Sequence, residues 1–221
     1  MDAQIFWSVI GEYNQATWIG QCVLFAVIMT GVVLAYFGKA TWLPKAALGI
    51  TNLFMGSAFF LIYGTEPIQT YFAAPLFVGV GLLFIWEAFK FRKSAFRHFN
   101  KVQWLLLFLV ALYPLASLLL GHSFPQMVLY IMPCPLISLS IVVYTCYEHQ
   151  NKILLALMAV WGLTGIKSFF FNAFEDIILL ICGIYSLYIL VQQLRKRNER
   201  RNEVEVKISV SSVFCAPAEK L

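Results

Sequence analysis

The chain reads as an all-α, polytopic membrane protein: a transmembrane helical bundle of about seven spans, amino terminus outside and carboxyl terminus cytoplasmic. Three observations carry this. Of 221 residues 61% are hydrophobic and only 12% charged, about half the charge of a soluble domain and too little polar surface to coat a water-soluble globule. The apolar residues come in long blocks, the signature of membrane spans. The cationic residues all but vanish from alternate connections.

The spans follow in order. Span one covers about Thr17 to Phe37, span two Lys45 to Tyr63, span three Tyr71 to Phe89 and span four Val102 to Leu120. Span five lies near Gln126 to Tyr147, span six near Ile153 to Phe171 and span seven near Ile177 to Leu194. At about 18–22 residues each they match a hydrocarbon core roughly 30 Å thick. Residues 1–16 read as an outer interfacial segment, with Ile5-Phe6-Trp7 and Val9-Ile10 ahead of Glu12, Tyr13 and Asn14. Residues 17–194 form the membrane domain. Residues 195–221 form a basic, mobile cytoplasmic tail, since the weak alternation of Val204 to Val213 would give one isolated strand. Met1 to Ile10 carries no base ahead of its first apolar stretch, which argues against a cleaved signal peptide.

Orientation follows from lysine and arginine. With seven spans, every one of the 16 except Lys167 falls on one side, including Lys39, Lys45, the 90–101 connection, Lys152 and the run after span seven. The other side holds only acids: Asp2, Glu12, Glu66, Glu175 and Asp176. The positive-inside rule puts the basic side in the cytoplasm, against anionic lipid headgroups. For the same reason the net charge of +5 does not point to nucleic acid.

Gly121-His122-Ser123-Phe124-Pro125 followed by Pro133-Cys134-Pro135 is the most unusual stretch. Proline removes a backbone donor and clashes with the preceding turn. Span five is therefore either one kinked helix or a broken span, in which Phe124 to Met132 enters as irregular chain and the helix starts near Pro135. Irregular backbone at membrane depth needs protein or water around it, and broken spans often mark substrate or ion sites.

Cys22, Cys134 and Cys182 fall roughly 7–12 Å below the outer surface, counting residues inward at 1.5 Å each. Two readings stand: a soft-metal site for an ion such as Cu(I), with His122 at its mouth, or three small residues at helix contacts. Lys167 either snorkels to the surface or turns inward to pair with Asp176, Glu175 or Glu66. Glu175 and Asp176 open span seven, where acids suit the helix dipole. Asn14, Thr17 and Gln21 form a polar face on span one. Asn52 is expected to bond a neighbouring helix. Trp18, Trp42 and Trp104 lie at span ends as anchors. No phosphate loop, HExxH or GxSxG occurs, no cofactor is implied, and span seven lacks the lysine a retinal protein needs.

With these residues in view, the chain resembles a bacterial family of multi-pass membrane proteins of unknown function. The likeness spans about residues 5–195. It rests on Tyr13-Asn14 with Trp18 and Gln21, Phe72 to Phe84, Tyr113-Pro114, Gly121-His122-Ser123-Phe124-Pro125, Pro133-Cys134-Pro135 and Glu175-Asp176. Family members usually continue Pro-Cys-Pro with threonine, where this chain has Leu136. The resemblance implies a multi-pass protein of the bacterial inner membrane, sometimes labelled a permease, and supplies no reaction.

The leading functional expectation is a small permease or transporter with a polar site in the outer half of the bundle. His122, Cys134, Lys167, Glu175, Asp176 and Asn14 are its candidate lining residues, and Cys134, His122, Cys22 and Cys182 the candidate metal ligands. A sensory or interaction protein is the alternative, binding a cytoplasmic partner or anionic lipid through its basic loop and tail, with room for a homo-oligomer. An enzyme using Cys134 as nucleophile and His122 as base ranks last, for want of a third orienting group.

Overall fold

The computed structural model describes residues 3–168 and 173–214, residue 3 and residues 200–214 by backbone alone. Among the described residues every regular element is helical. Helix α1 (Ala3–Tyr36) is a single run of 34 residues. No break sets off residues 3–16 as an interfacial element. Instead Ile10, Tyr13 and Asn14, each at most 1% exposed, share one face that packs into the bundle.

Helix α2 (Leu43–Phe54) continues as a π-helical stretch, Met55–Ile62. A second π-helical turn, Gln69–Ala73, leads into α3 (Ala74–Lys90). These two spans pack with almost no side chain between them: a Cβ at Gly81 would lie 2.9 Å from the Gly49 carbonyl oxygen. Small residues at such contacts are how helices associate where lipid removes the hydrophobic driving force.

Span four divides into α4 (Lys101–Ala111) and α5 (Tyr113–Leu119), bent by 46° where Pro114 cannot donate. Asn100 and Gln103 form a capping box that fixes the start of α4. Span five is broken rather than continuous. Gly121 turns the chain at φ +94°, residues 122–132 return as irregular backbone, and α6 (Pro133–Tyr144) begins two residues before the expected point. Its 12 residues cover about 18 Å, well short of a hydrocarbon core. Nearly every residue of α6 is buried, so it forms the axis of the bundle.

Helix α7 (Lys152–Leu163) ends in a 3₁₀ turn, Thr164–Lys167, and the expected end of span six at Phe171 lies outside the described residues. A further 3₁₀ turn, Phe174–Asp176, opens α8 (Ile177–Phe214). Helix α8 runs 20 residues past the expected end of span seven, so residues 195–214 are helical, and the rest of the expected tail, 215–221, lies outside the described residues. A Cβ at Gly162 of α7 would lie 2.4 Å from Gly183 Cα of α8, so these helices also touch backbone to backbone.

Among the described residues four helical runs are long and apolar enough to cross a membrane: Gln4–Tyr36, Leu43–Ile62, Gln69–Lys90 and Phe174–Glu199. The bent α4–α5 pair makes a fifth, while α6 and α7 are 12 residues each. Among the described residues, the expected uniform helices of about 18–22 residues are thus replaced by long, bent and broken ones. Large apolar side chains such as Ile19, Phe89, Phe108 and Ile184 stay exposed, as they would against lipid.

The basic connections meet at one end. Tyr147 donates to the Thr41 carbonyl at 2.6 Å, Thr41 Oγ1 to the Arg92 carbonyl, and Arg97 N–H to the Cys146 carbonyl. Lys45 was expected to open span two as a cationic flank of the first connection. It lies inside α2, fully buried, with Nζ 2.9 Å from Glu87 Oε2. Tyr144 donates to the other Glu87 oxygen at 2.6 Å, and the Tyr147 ring faces the ammonium at 4.3 Å. Asn52, expected to bond a neighbour, donates chiefly to Leu48 of its own turn, with Ser140 of α6 at 3.5 Å.

Candidate functional site

At the opposite end lies a cavity of about 300 Å³. Its roof comes from Phe6 and Ile10 of α1. Its walls come from the π-helical stretches (Phe59, Phe60, Gln69, Phe72), and its floor from Met132 and the Pro133-Cys134-Pro135 start of α6. Trp161 and Thr164, Lys167, Ser168 and Asp176 close the remaining side. The broken span and the start of α8 therefore share one space. Both π-helical stretches border it, in keeping with the tendency of such irregular turns to occur at functional sites.

The break stands because other residues satisfy its backbone. Asn14 Nδ2 donates to the carbonyls of Pro125 and Met127, both at 2.8 Å, and Tyr13 donates to that of Ile131 at 3.1 Å. Val128 N–H donates to Ser117 Oγ at 3.0 Å, and Ser117 in turn donates to Glu175 Oε1 at 3.2 Å. Each bond removes a cost of roughly 1–3 kcal/mol for an unpaired buried polar group. Asn14 and Glu175, both expected to line the site, thus hold the irregular chain in place and do not line the cavity.

His122 is also elsewhere. Its ring stacks on Trp7 with centroids 3.6 Å apart, at the turn that begins the returning segment. Cys22 faces outward from α1, and Cys182 is fully buried beside Ser138. Equal depth had suggested a shared metal site for these residues with Cys134, but depth leaves the direction of each side chain open, and they point four ways. Among the described residues no group of three or more His, Cys, Asp or Glu side chains is placed to hold a metal ion. The proposed Cys134–His122 nucleophile and base are likewise not paired, because Cys134 Sγ donates to Asp176 Oδ2 at 3.3 Å.

Cys134, Asp176 and Lys167 are the expected site residues that the fold brings to one cavity. Asp176 accepts the thiol proton donor on one oxygen and is half-buried. Lys167 is exposed from its 3₁₀ turn, so it reaches solvent while still bordering the space. Ser168 is 2% exposed and, among the described residues, its hydroxyl has no hydrogen-bond partner. Residue-by-residue reading missed the aromatic wall of Phe59, Phe60, Phe72 and Trp161. Such rings look like ordinary span residues until the cavity shows which face they take; Phe60 and Trp161 meet edge to face at 5.5 Å. It also missed Glu87, which sits three residues before Lys90 at the basic end of span three.

A search among curated proteins and another among solved structures found no match. The model of a family of unknown function (DUF6064) matches residues 3–201, and the chain belongs to that family.

Proposed function

We propose that this protein is a small permease of the bacterial inner membrane whose solute site is the cavity between the broken fifth span and the start of α8. The observation that carries the reading is the cavity itself: about 300 Å³ of space lined by aromatic rings with a few converging polar groups, at a helix break held open by dedicated hydrogen bonds. That composition is typical of small-molecule sites, and broken helices near such a space are a recurring transporter device.

Seven crossings complete the reading, with α6 and the segment before it counted as one, the amino terminus outside and α8 leading into the cytoplasm. Its support is the clustering of basic connections at the end away from the cavity, where Lys90 lies 4.3 Å from the Trp86 ring and Arg92 5.2 Å from that of Trp42. Cations resting on interfacial tryptophans suit an anionic headgroup layer. Single cysteines at Thr65 and Lys93, in a background without other cysteines, test the orientation. A membrane-impermeant maleimide added outside should label the Thr65→Cys protein, and the Lys93→Cys protein only after permeabilisation; the reverse pattern rejects it.

The transport reading is tested in proteoliposomes with radiolabelled amines, amino acids, carboxylates and sugars. Saturable uptake of at least one class, lost in Asp176→Asn, is expected. Uptake no faster than in protein-free liposomes for all classes would overturn it.

A further inference from the structure

We infer that the cavity selects an organic cation: a primary or substituted ammonium group carried on an apolar body of about phenethyl size. This rests on the reading of the cavity as a solute site and names the class of solute.

Three ligand classes are open to a space of this size, and the lining decides among them. A metal ion finds no set of three ligating side chains among the described residues. An anion would be drawn to the positive end of α6, which points into the cavity, through its free backbone N–H groups. Here Pro133 and Pro135 stand at the first and third helical positions and have no N–H to give. The remaining donor of that turn, at Cys134, lies next to a carboxylate, since Cys134 and Asp176 are bonded through their side chains. An incoming anion would meet Asp176 where it sought the helix end.

In formal charge the lining favours a cation. It holds two carboxylates, Glu66 and Asp176, against the one ammonium of Lys167, whose exposed side chain can carry its charge to solvent. Asp176 Oδ2 takes the thiol of Cys134, a weak donor, leaving strong acceptor capacity on the carboxylate. The Ser168 hydroxyl, 2% exposed and without a partner among the described residues, offers a second acceptor on the same cavity. Much of the rest of the lining is aromatic. Phe59 and Phe60 meet edge to face at 5.0 Å, and Phe60 locks against Trp161, so the rings are held in place. Ring faces attract ammonium groups and bury an apolar body. A carboxylate and a fixed aromatic wall around one small cavity together recognise an amine with an apolar tail.

The test uses the purified full-length protein in detergent and calorimetric titration with three probes of one size: 2-phenylethylammonium, 2-phenylethanol and 3-phenylpropionate. The ammonium should bind saturably, the alcohol about tenfold or more weaker, and the carboxylate weakest, as expected for loss of a charge-assisted hydrogen bond. Asp176→Asn should weaken the ammonium by about tenfold or more and leave the alcohol unchanged. Because a variant can fail to fold, the parent protein supplies a second readout: the ammonium, and not the carboxylate, should slow alkylation of Cys134 by N-ethylmaleimide. If the carboxylate binds as tightly as the ammonium, or Asp176→Asn binds the ammonium undiminished, the cation assignment is wrong while the solute site stands. If no probe binds and none protects Cys134, the solute site falls too.

Discussion

Each end of this bundle holds a carboxylate, one fully buried and one half-buried, and the two are treated in opposite ways. At the basic end Glu87 is fully enclosed, with Lys45 on one oxygen and Tyr144 on the other, and Tyr147 faces the ammonium. Both Glu87 oxygens have a partner, and Lys45, Glu87 and Tyr144 are fully buried. At the other end Asp176 has a thiol for company and borders a cavity also lined by a hydroxyl with no partner among the described residues. A saturated charge network holds helices together, whereas an unsaturated one beside open space is available to a ligand. The difference marks one end as a closed structural pair and is the contrast on which the proposed solute site at the other end rests.

Breaking the closed end should have the largest effect. Lys45→Met or Glu87→Gln leaves a buried group without its counter-charge, and each should lower stability by about 3–5 kcal/mol. The double substitution Lys45→Met with Glu87→Met should recover most of that loss, because an apolar pair of similar volume removes both desolvation costs. Thermal unfolding in detergent reads the cycle. Additive losses in the double variant would show that the two side chains do not act as a pair.

Next in size comes the clamp that holds the cavity end open. Asn14→Ala strands the Pro125 and Met127 carbonyls and should cost about 2–3 kcal/mol. The damage should be local: amide exchange should quicken at residues 126–132 while α2 and α3 keep their protection. Uniform acceleration throughout the bundle would mean that the returning segment is integral to the core and not a separately held insert.

This contrast also explains what could be read from the sequence. Spans one to three were legible to within two residues at their basic ends, because hydrocarbon length and cationic flanks are local signals: Lys45 to Tyr63 became a run from Leu43 to Ile62. The break at Pro133 was legible as one of two alternatives, since proline acts on its own turn. What one-dimensional depth could not supply was azimuth. Cys22 and Cys134 sit at similar depth, yet one faces outward and the other a cavity. Asn14 looked like a ligand because it was polar in an apolar run, and its true partners are carbonyls more than 110 positions away. Lys45 looked like a cationic flank of span two because its acid, Glu87, is 42 positions distant.

Asp176→Asn sharpens the comparison from the other side. It removes a carboxylate as Glu87→Gln does, but from the open end. The amide oxygen can still accept from Cys134, and no buried cation loses its partner. Stability should shift by no more than about 1 kcal/mol, against several for Glu87→Gln. A loss as large as that at Glu87 would make Asp176 a structural charge and erase the distinction between the ends.

The smallest effect is expected at the rim of the basic end, where Arg97 meets Glu148 at 3.3 Å with both side chains more than half exposed. Water screens that pair, and holding two long side chains together costs entropy, so such contacts contribute between nothing and about 1 kcal/mol. Arg97→Ala should therefore leave the unfolding temperature nearly unchanged, although it lies at the same end as Lys45 and joins the same connections. The backbone contact beside it, Arg97 N–H to the Cys146 carbonyl, survives the substitution and keeps the 90–101 connection docked. A loss comparable to that of Lys45→Met would show that the closed end draws its strength from the whole basic surface, and that burial of the Lys45–Glu87 pair is not what distinguishes it from the cavity.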